Sequence, residues 1–123
     1  EIGMKEAEQI LANGTKYYIE VANMPTTNEA LYFLMGKGLI VAPSKAVNAG
    51  GVSVSGLEMS QNSERLAWSA EEVDKQLHTI MKNIHAASVQ AAEECGLGYN
   101  LVAGANLAGF KKVADAMMAQ GLV

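Results

Sequence analysis

The run from Ser69 to Cys95 constrains this chain more than any other part, because its apolar residues recur at helical spacing without a break. Val73, Leu77, Ile80, Met81, Ile84, Ala87, Ala91 and Ala92 form one stripe, and Ser69-Ala-Glu-Glu72 has the spacing of a capping box. The pattern predicts a helix over about Ala70 to Cys95, stopped by Gly96-Leu-Gly98. Glu71, Glu72 and Asp74 complement the positive end of that helix rather than form a catalytic carboxylate pair. After a short segment a last helix follows, with Leu107, Phe110, Val113, Ala114 and Met117 on one side.

The first half has a different rhythm. Lys5 to Ala12 reads as a short helix with Ala7, Ile10 and Leu11 inward, ended by Asn13-Gly14. Lys16-Tyr-Tyr-Ile-Glu-Val21 is β-branched and aromatic and reads as a strand that ends at the Asn23-Met-Pro25 turn. Thr26-Thr-Asn-Glu29 has capping-box spacing, so Leu31, Phe33, Leu34 and Met35 belong to a helix that Gly36-Lys-Gly38 ends. Leu39-Ile-Val-Ala42 reads as a second, fully buried strand. The order β–α–β implies a parallel pair with a right-handed crossover. No internal repeat, low-complexity stretch or flexible linker interrupts the chain.

In open parallel sheets ligands collect beyond the carboxyl ends of the strands, which here means Ala22–Thr27 and Pro43–Ser55. The second of these loops runs into Gly50-Gly51 followed by hydroxyl residues, at the expected start of a helix. Glycine lets a ligand approach the backbone, and the unpaired N–H groups of a helix start favour an anion such as a carboxylate or phosphate. The same pattern serves a plain helix cap. Neither loop contains the Gly-x-Gly-x-x-Gly turn that opens a dinucleotide-binding domain, so half of such a site is missing from these residues.

Composition narrows the function classes. With 123 residues and half of them hydrophobic, the chain suits one small domain with much apolar surface to bury. A net charge of −4 with dispersed Lys and Arg makes no basic stripe, and Tyr17, Tyr18 and Tyr99 are not interleaved with one, which argues against nucleic-acid binding. The longest apolar runs are too short to span a membrane. The start Glu1-Ile-Gly reads as a fragment boundary, and Glu1–Gln9 lacks the apolar core of a signal peptide. A single cysteine, Cys95, fits a reducing cytoplasm and reads as a partly buried small apolar residue. His78 and His85 could share a helix face, but no further ligand completes a metal site. Met35, Met81 and Met117 read as packing residues.

Four segments, in order and without a long gap, carry a resemblance. They are Glu20-Val-Ala-Asn23-Met-Pro-Thr-Thr27, Ala42-Pro-Ser-Lys-Ala-Val-Asn48 with Gly50-Gly51, Gly56-Leu-Glu-Met-Ser-Gln-Asn-Ser63, and Gly104-Ala-Asn-Leu-Ala-Gly-Phe-Lys-Lys-Val-Ala-Asp-Ala-Met117. From about Ile10 to Val123 the chain resembles the C-terminal part of the NADP-type glutamate dehydrogenases of the hexameric bacterial and fungal class. The resemblance implies an α/β fold, with residues 1–66 the C-terminal part of a Rossmann-like nucleotide-binding domain and residues 67–123 a helical segment packing on the rest of the enzyme. It implies interconversion of L-glutamate with 2-oxoglutarate and ammonia by hydride transfer to or from NADP, in a cytoplasmic homo-oligomer of the hexameric class.

Residue by residue, Val52 and Ser55 match positions lining the substrate pocket, where the serine hydroxyl meets the distal carboxylate of glutamate. Asn23 and Asn48 match positions beside the nicotinamide ribose and carboxamide. The family's catalytic lysine and aspartate and its phosphate turn match nothing here, so no residue of the chain is expected to be catalytic and the chain alone should be inactive. Where the family usually has Glu-Gly-Ala-Asn, this chain has Glu20-Val21-Ala22-Asn23. The competing reading is a non-catalytic helical module that self-associates through the two apolar stripes.

Overall fold

In the computed structural model, which describes residues 1–121, the chain is mostly helical around a small parallel sheet. The sheet has two strands, Tyr17–Ile19 (β1) and Ile40–Ala42 (β2), with Tyr17 opposite Ile40, Tyr18 opposite Val41 and Ile19 opposite Ala42. Backbone pairing runs one residue past each end of β1, through Ile40 N–H to Lys16 C=O and Glu20 N–H to Ala42 C=O, both at 3.0 Å. Side chains alternate across a strand, so Tyr18 and Val41 share one face and Tyr17, Ile19 and Ile40 the other. The first face is covered: Val41 joins Ala7, Ala30, Leu34 and Leu39 in the buried core, with Tyr18 packed against it. The second is open, and Ile40 keeps 37% of its surface. Leu39–Ala42, expected to be buried on both faces, is covered on one face only by the residues present, where a helix layer lies over the pair.

Two helices build that layer. Met4–Ala12 (α1) contributes Ala7, and Asn28–Gly36 (α2) contributes Ala30 and Leu34. The cap of α2 is Thr27, whose hydroxyl accepts from the Ala30 N–H at 3.3 Å. Thr26 was the expected cap, but its hydroxyl is engaged by the Tyr18 phenol at 2.7 Å and its backbone bridges to Ile2. After β2 come a single turn, Ser44–Val47 (α3), and a longer helix, Ala49–Glu64 (α4), which meet at Asn48.

The long stripe forms the helix expected of it, Ala70–Glu94 (α5), with the Ser69 and Glu72 capping box in place. Hydrogen bonds from the Ser69 backbone and hydroxyl hold the Glu72 carboxyl below its ordinary range. The last helix, Leu101–Gln120 (α6), starts at an Asn100 cap, whose side chain accepts from Ala103 N–H at 3.0 Å. It crosses α5 where both helices are thin. A Cβ on Gly104 would lie 1.9 Å from the Ser88 carbonyl oxygen, so only glycine permits this approach.

The side predicted to pack on α6 is only partly used: Leu107 and Ala114 are half-buried, while Phe110 is 71% exposed and Val113 and Met117 are also exposed. The buried residues are instead Leu101 and Gly104, because the crossing lies near the start of α6. Cys95, at the end of α5, is exposed rather than partly buried.

Candidate functional site

The loops that leave the carboxyl ends of β1 and β2 come together. Asn48 donates from Nδ2 to Oδ1 of Asn23 at 2.6 Å, although the two are 25 residues apart. This pairing leaves Nδ2 of Asn23 as a donor and Oδ1 of Asn48 as an acceptor. That combination complements a carboxamide or a pair of ribose hydroxyls.

The turn between Asn23 and Pro25 is held by a left-handed residue, Met24, with φ of 44°. Val21, which stands where glycine is usual, does not take a positive φ. Its branched side chain therefore meets no left-handed backbone strain at this position.

Asn48, Val52 and Ser55 are spaced four and three residues apart, so α4 places them on one side. Val52 is 71% exposed and Ser55 is exposed. The Ser55 hydroxyl donates to the Gly51 carbonyl at 3.3 Å, a long bond within the helix. The expected helix start after the glycines is corrected: α4 begins at Ala49, and Gly50 and Gly51 lie in its first turn without positive φ. Ser55 therefore lies a full turn inside the helix and is not its cap. Apart from its chain neighbours and the backbone of its own helix, no described atom lies within 4 Å of where a Cβ on Gly51 would stand, which leaves that side open to approach.

All four predicted residues are thus on or beside one open face, formed by the Asn23 loop and the start of α4. The neighbouring cleft of about 570 Å³ is lined instead by others, among them Glu20, Thr27, Ser44, Lys45 and Asn106. Sequence reasoning missed this supporting set. Glu20 is only 6% exposed, and its carboxylate accepts from the Ser44 N–H at 3.1 Å. Lys45 donates from Nζ to the Asn106 side chain, tying α3 to α6. A charged residue at the end of an otherwise apolar strand was the available signal for Glu20. Nothing in the spacing of Lys45 and Asn106 pointed to their contact.

His85 belongs to none of this; its Nε2 pairs with the Tyr99 hydroxyl at 2.8 Å. Among the described residues no three His, Cys, Asp or Glu side chains cluster as metal ligands, and no helix is long and apolar enough to cross a membrane.

The family model for Glutamate/Leucine/Phenylalanine/Valine dehydrogenase matches residues 1–121. This chain belongs to that dehydrogenase family. It is 68% identical to an NAD-specific glutamate dehydrogenase of Clostridium symbiosum, over 99% of this chain and 27% of that protein. With an NADP-specific glutamate dehydrogenase of Escherichia coli it shares 54% identity over its whole length and 27% of the relative. A solved glutamate dehydrogenase structure, 68% identical, superposes with a TM-score of 0.93 over 99% of this chain and 27% of that one. A hetero-hexameric glutamate dehydrogenase of Thermus thermophilus, 29% identical, gives 0.84 over 97% and 27%. The chain therefore spans about a quarter of the length of the relatives it matches. Because the family match runs through strands and helices alike, it lends nothing to the reading of a free-standing self-association module.

Proposed function

We propose that this chain supplies the nicotinamide-facing and glutamate-facing side of a glutamate dehydrogenase, which interconverts L-glutamate with 2-oxoglutarate and ammonia. The observation that carries this reading is the Asn23–Asn48 hydrogen bond, which joins two loops at the carboxyl ends of parallel strands. Residues 1–66 are read as the end of a Rossmann-like nucleotide domain and residues 67–123 as a helical segment packing on the rest of the enzyme.

Asn23 and Asn48 would hold the nicotinamide end of the coenzyme through their remaining amide donor and acceptor. When bound, the coenzyme accepts or delivers the hydride. Val52 supplies an apolar wall and Ser55 a hydroxyl donor to the distal carboxylate of glutamate, so the two fix the substrate's orientation. None of the four can move a proton, and the proton-transfer groups belong to the rest of the enzyme.

NADP is the coenzyme proposed, on the resemblance in four segments. The NAD-specific relative at 68% identity makes the comparison of the two coenzymes the first measurement to take. A cytoplasmic, hexameric homo-oligomer is proposed with it, and the exposed apolar residues Tyr17, Ile19, Phe110 and Val113 are surface that the rest of the enzyme would cover.

The test uses the full-length enzyme. Asn48→Ala should raise the coenzyme KM roughly two- to tenfold, the worth of a neutral hydrogen bond, and leave the fold intact. Residues 1–123 alone should show no glutamate-dependent coenzyme reduction. Turnover by that piece above a blank, or an unchanged coenzyme KM in the variant, would contradict the reading.

A further inference from the structure

We infer that Glu20 is a positioning residue for the coenzyme, acting through Ser44 and Asn48 rather than by touching the coenzyme. The inference rests on the proposed coenzyme role of Asn23 and Asn48, and it adds the device that sets their spacing.

Three hydrogen bonds join four residues in a ring that the chain from Glu20 to Asn23 closes. The Glu20 carboxylate accepts from the Ser44 N–H at 3.1 Å, and the Ser44 carbonyl accepts from the Asn48 N–H at 2.8 Å. Asn48 then donates from its side chain to Asn23 at 2.6 Å, and Asn23 is three residues along the chain from Glu20. The ring starts where the sheet stops, since the Glu20 N–H itself makes the last ladder bond to Ala42. Register set by the sheet is thus carried by one side chain into the turn of α3 and on to the amide pair.

Burying a carboxylate is unfavourable unless it is paired or hydrogen-bonded. Glu20 is buried, yet the cation nearest in sequence to its partner, Lys45, bonds to Asn106 instead. The one salt bridge among the described residues, Lys111 with Glu94, lies on the far helices. A neutral or apolar residue would fill the end of β1 without the desolvation penalty. What the carboxylate adds is a strong acceptor for a single backbone N–H, on the turn that carries Asn48.

A double-mutant cycle in the full-length enzyme separates this role from general support of the fold. Glu20→Ala should raise the coenzyme KM by no more than the roughly two- to tenfold expected of Asn48→Ala, since it acts through that residue, and the glutamate KM by less than about twofold. Glu20→Gln keeps an oxygen that can accept from Ser44 and should rescue most of the loss. In an Asn48→Ala background, Glu20→Ala should add less than about twofold, because the group it positions is already gone.

Two results would overturn the inference: full additivity of Glu20→Ala with Asn48→Ala, or an unchanged coenzyme KM in Glu20→Ala and Glu20→Gln while Asn48→Ala raises it. Should Glu20→Ala fail to assemble, Glu20→Met, which fills a similar volume without an oxygen acceptor, and its double variant with Asn48→Ala carry the same comparison. If neither Asn23→Ala nor Asn48→Ala moves the coenzyme KM, the coenzyme reading itself has failed and Glu20 has nothing to position.

Discussion

Gly104 and Gly51 both lie inside helices, and their surroundings are opposite. At Gly104 an added Cβ would come within 1.9 Å of the Ser88 carbonyl oxygen and 3.2 Å of the Ala92 Cβ, whereas at Gly51 it would meet nothing within 4 Å. The first glycine is required by the protein's own packing, at the crossing of α5 and α6. No contact among the described residues requires the second, and it lies on the side of α4 that presents Asn48, Val52 and Ser55. A helical glycine lowers stability relative to alanine; Gly56 and Gly109 have equally open surroundings, so what sets Gly51 apart is its place beside Asn48 and Ser55.

The sharpest way to break this contrast is substitution at the crossing. Gly104→Ala places a methyl group against backbone that cannot rotate aside, and we expect a loss of about 3 kcal/mol in urea unfolding of the full-length enzyme. A neutral effect would mean that the helices separate easily and the crossing is not a fixed point. On the open face the large effect should be kinetic. Ser55→Ala should lower glutamate kcat/KM roughly ten- to a hundredfold, for a lost hydrogen bond to a charged group of about 1.5–3 kcal/mol. Stability should change by less than about 0.5 kcal/mol, since Ser55 gives up only a long intrahelical bond and alanine favours the helix. Reduced stability with unchanged kinetics would retire its carboxylate role.

A smaller effect sharpens the comparison further. Gly51→Ala should stabilise the enzyme by about 0.5–1 kcal/mol while slowing glutamate turnover, the reverse of the outcome at Gly104. Improvement of both stability and turnover would show that no ligand approaches Gly51.

The smallest expected effect belongs to acid pH on the helical side. Ser69 lowers the Glu72 carboxyl, and Gln90 together with Lys111 lowers that of Glu94, each below the ordinary glutamate range. A lowered folded value means that the contribution is present above the unfolded pKa and is lost as pH falls through the folded one. Thermal melts followed by circular dichroism should therefore lose a component below the ordinary glutamate range, and Glu72→Gln should remove part of that dependence. A melt of Glu72→Gln with the same acid dependence as the parent would assign it elsewhere.

Local pattern was enough for most elements. The capping box at Ser69 and the stripe from Val73 to Ala92 led to α5 within a residue at each end, because capping and side-chain periodicity are short-range properties. The parallel pairing of β1 and β2 also followed from their order and the helix between them. The ends of elements were harder. Thr26 and Thr27 both have cap chemistry, and the Tyr18 phenol from another strand decided between them.

What the sequence by itself determined is which residues form helices and strands, and, through four segments in order, the family to which the chain belongs. Tertiary structure alone decided which apolar side chains are covered. Phe110, Val113 and Met117 satisfy helical spacing as well as the residues of α5 do, yet α5 does not cover them, because α6 meets it near its own start. It also decided that Asn48 reaches Asn23 and that Glu20 reaches Ser44. Periodicity reports a residue's neighbours along one element, and these contacts join side chains and backbone more than twenty residues apart, where only the register of the two strands brings them within hydrogen-bond distance.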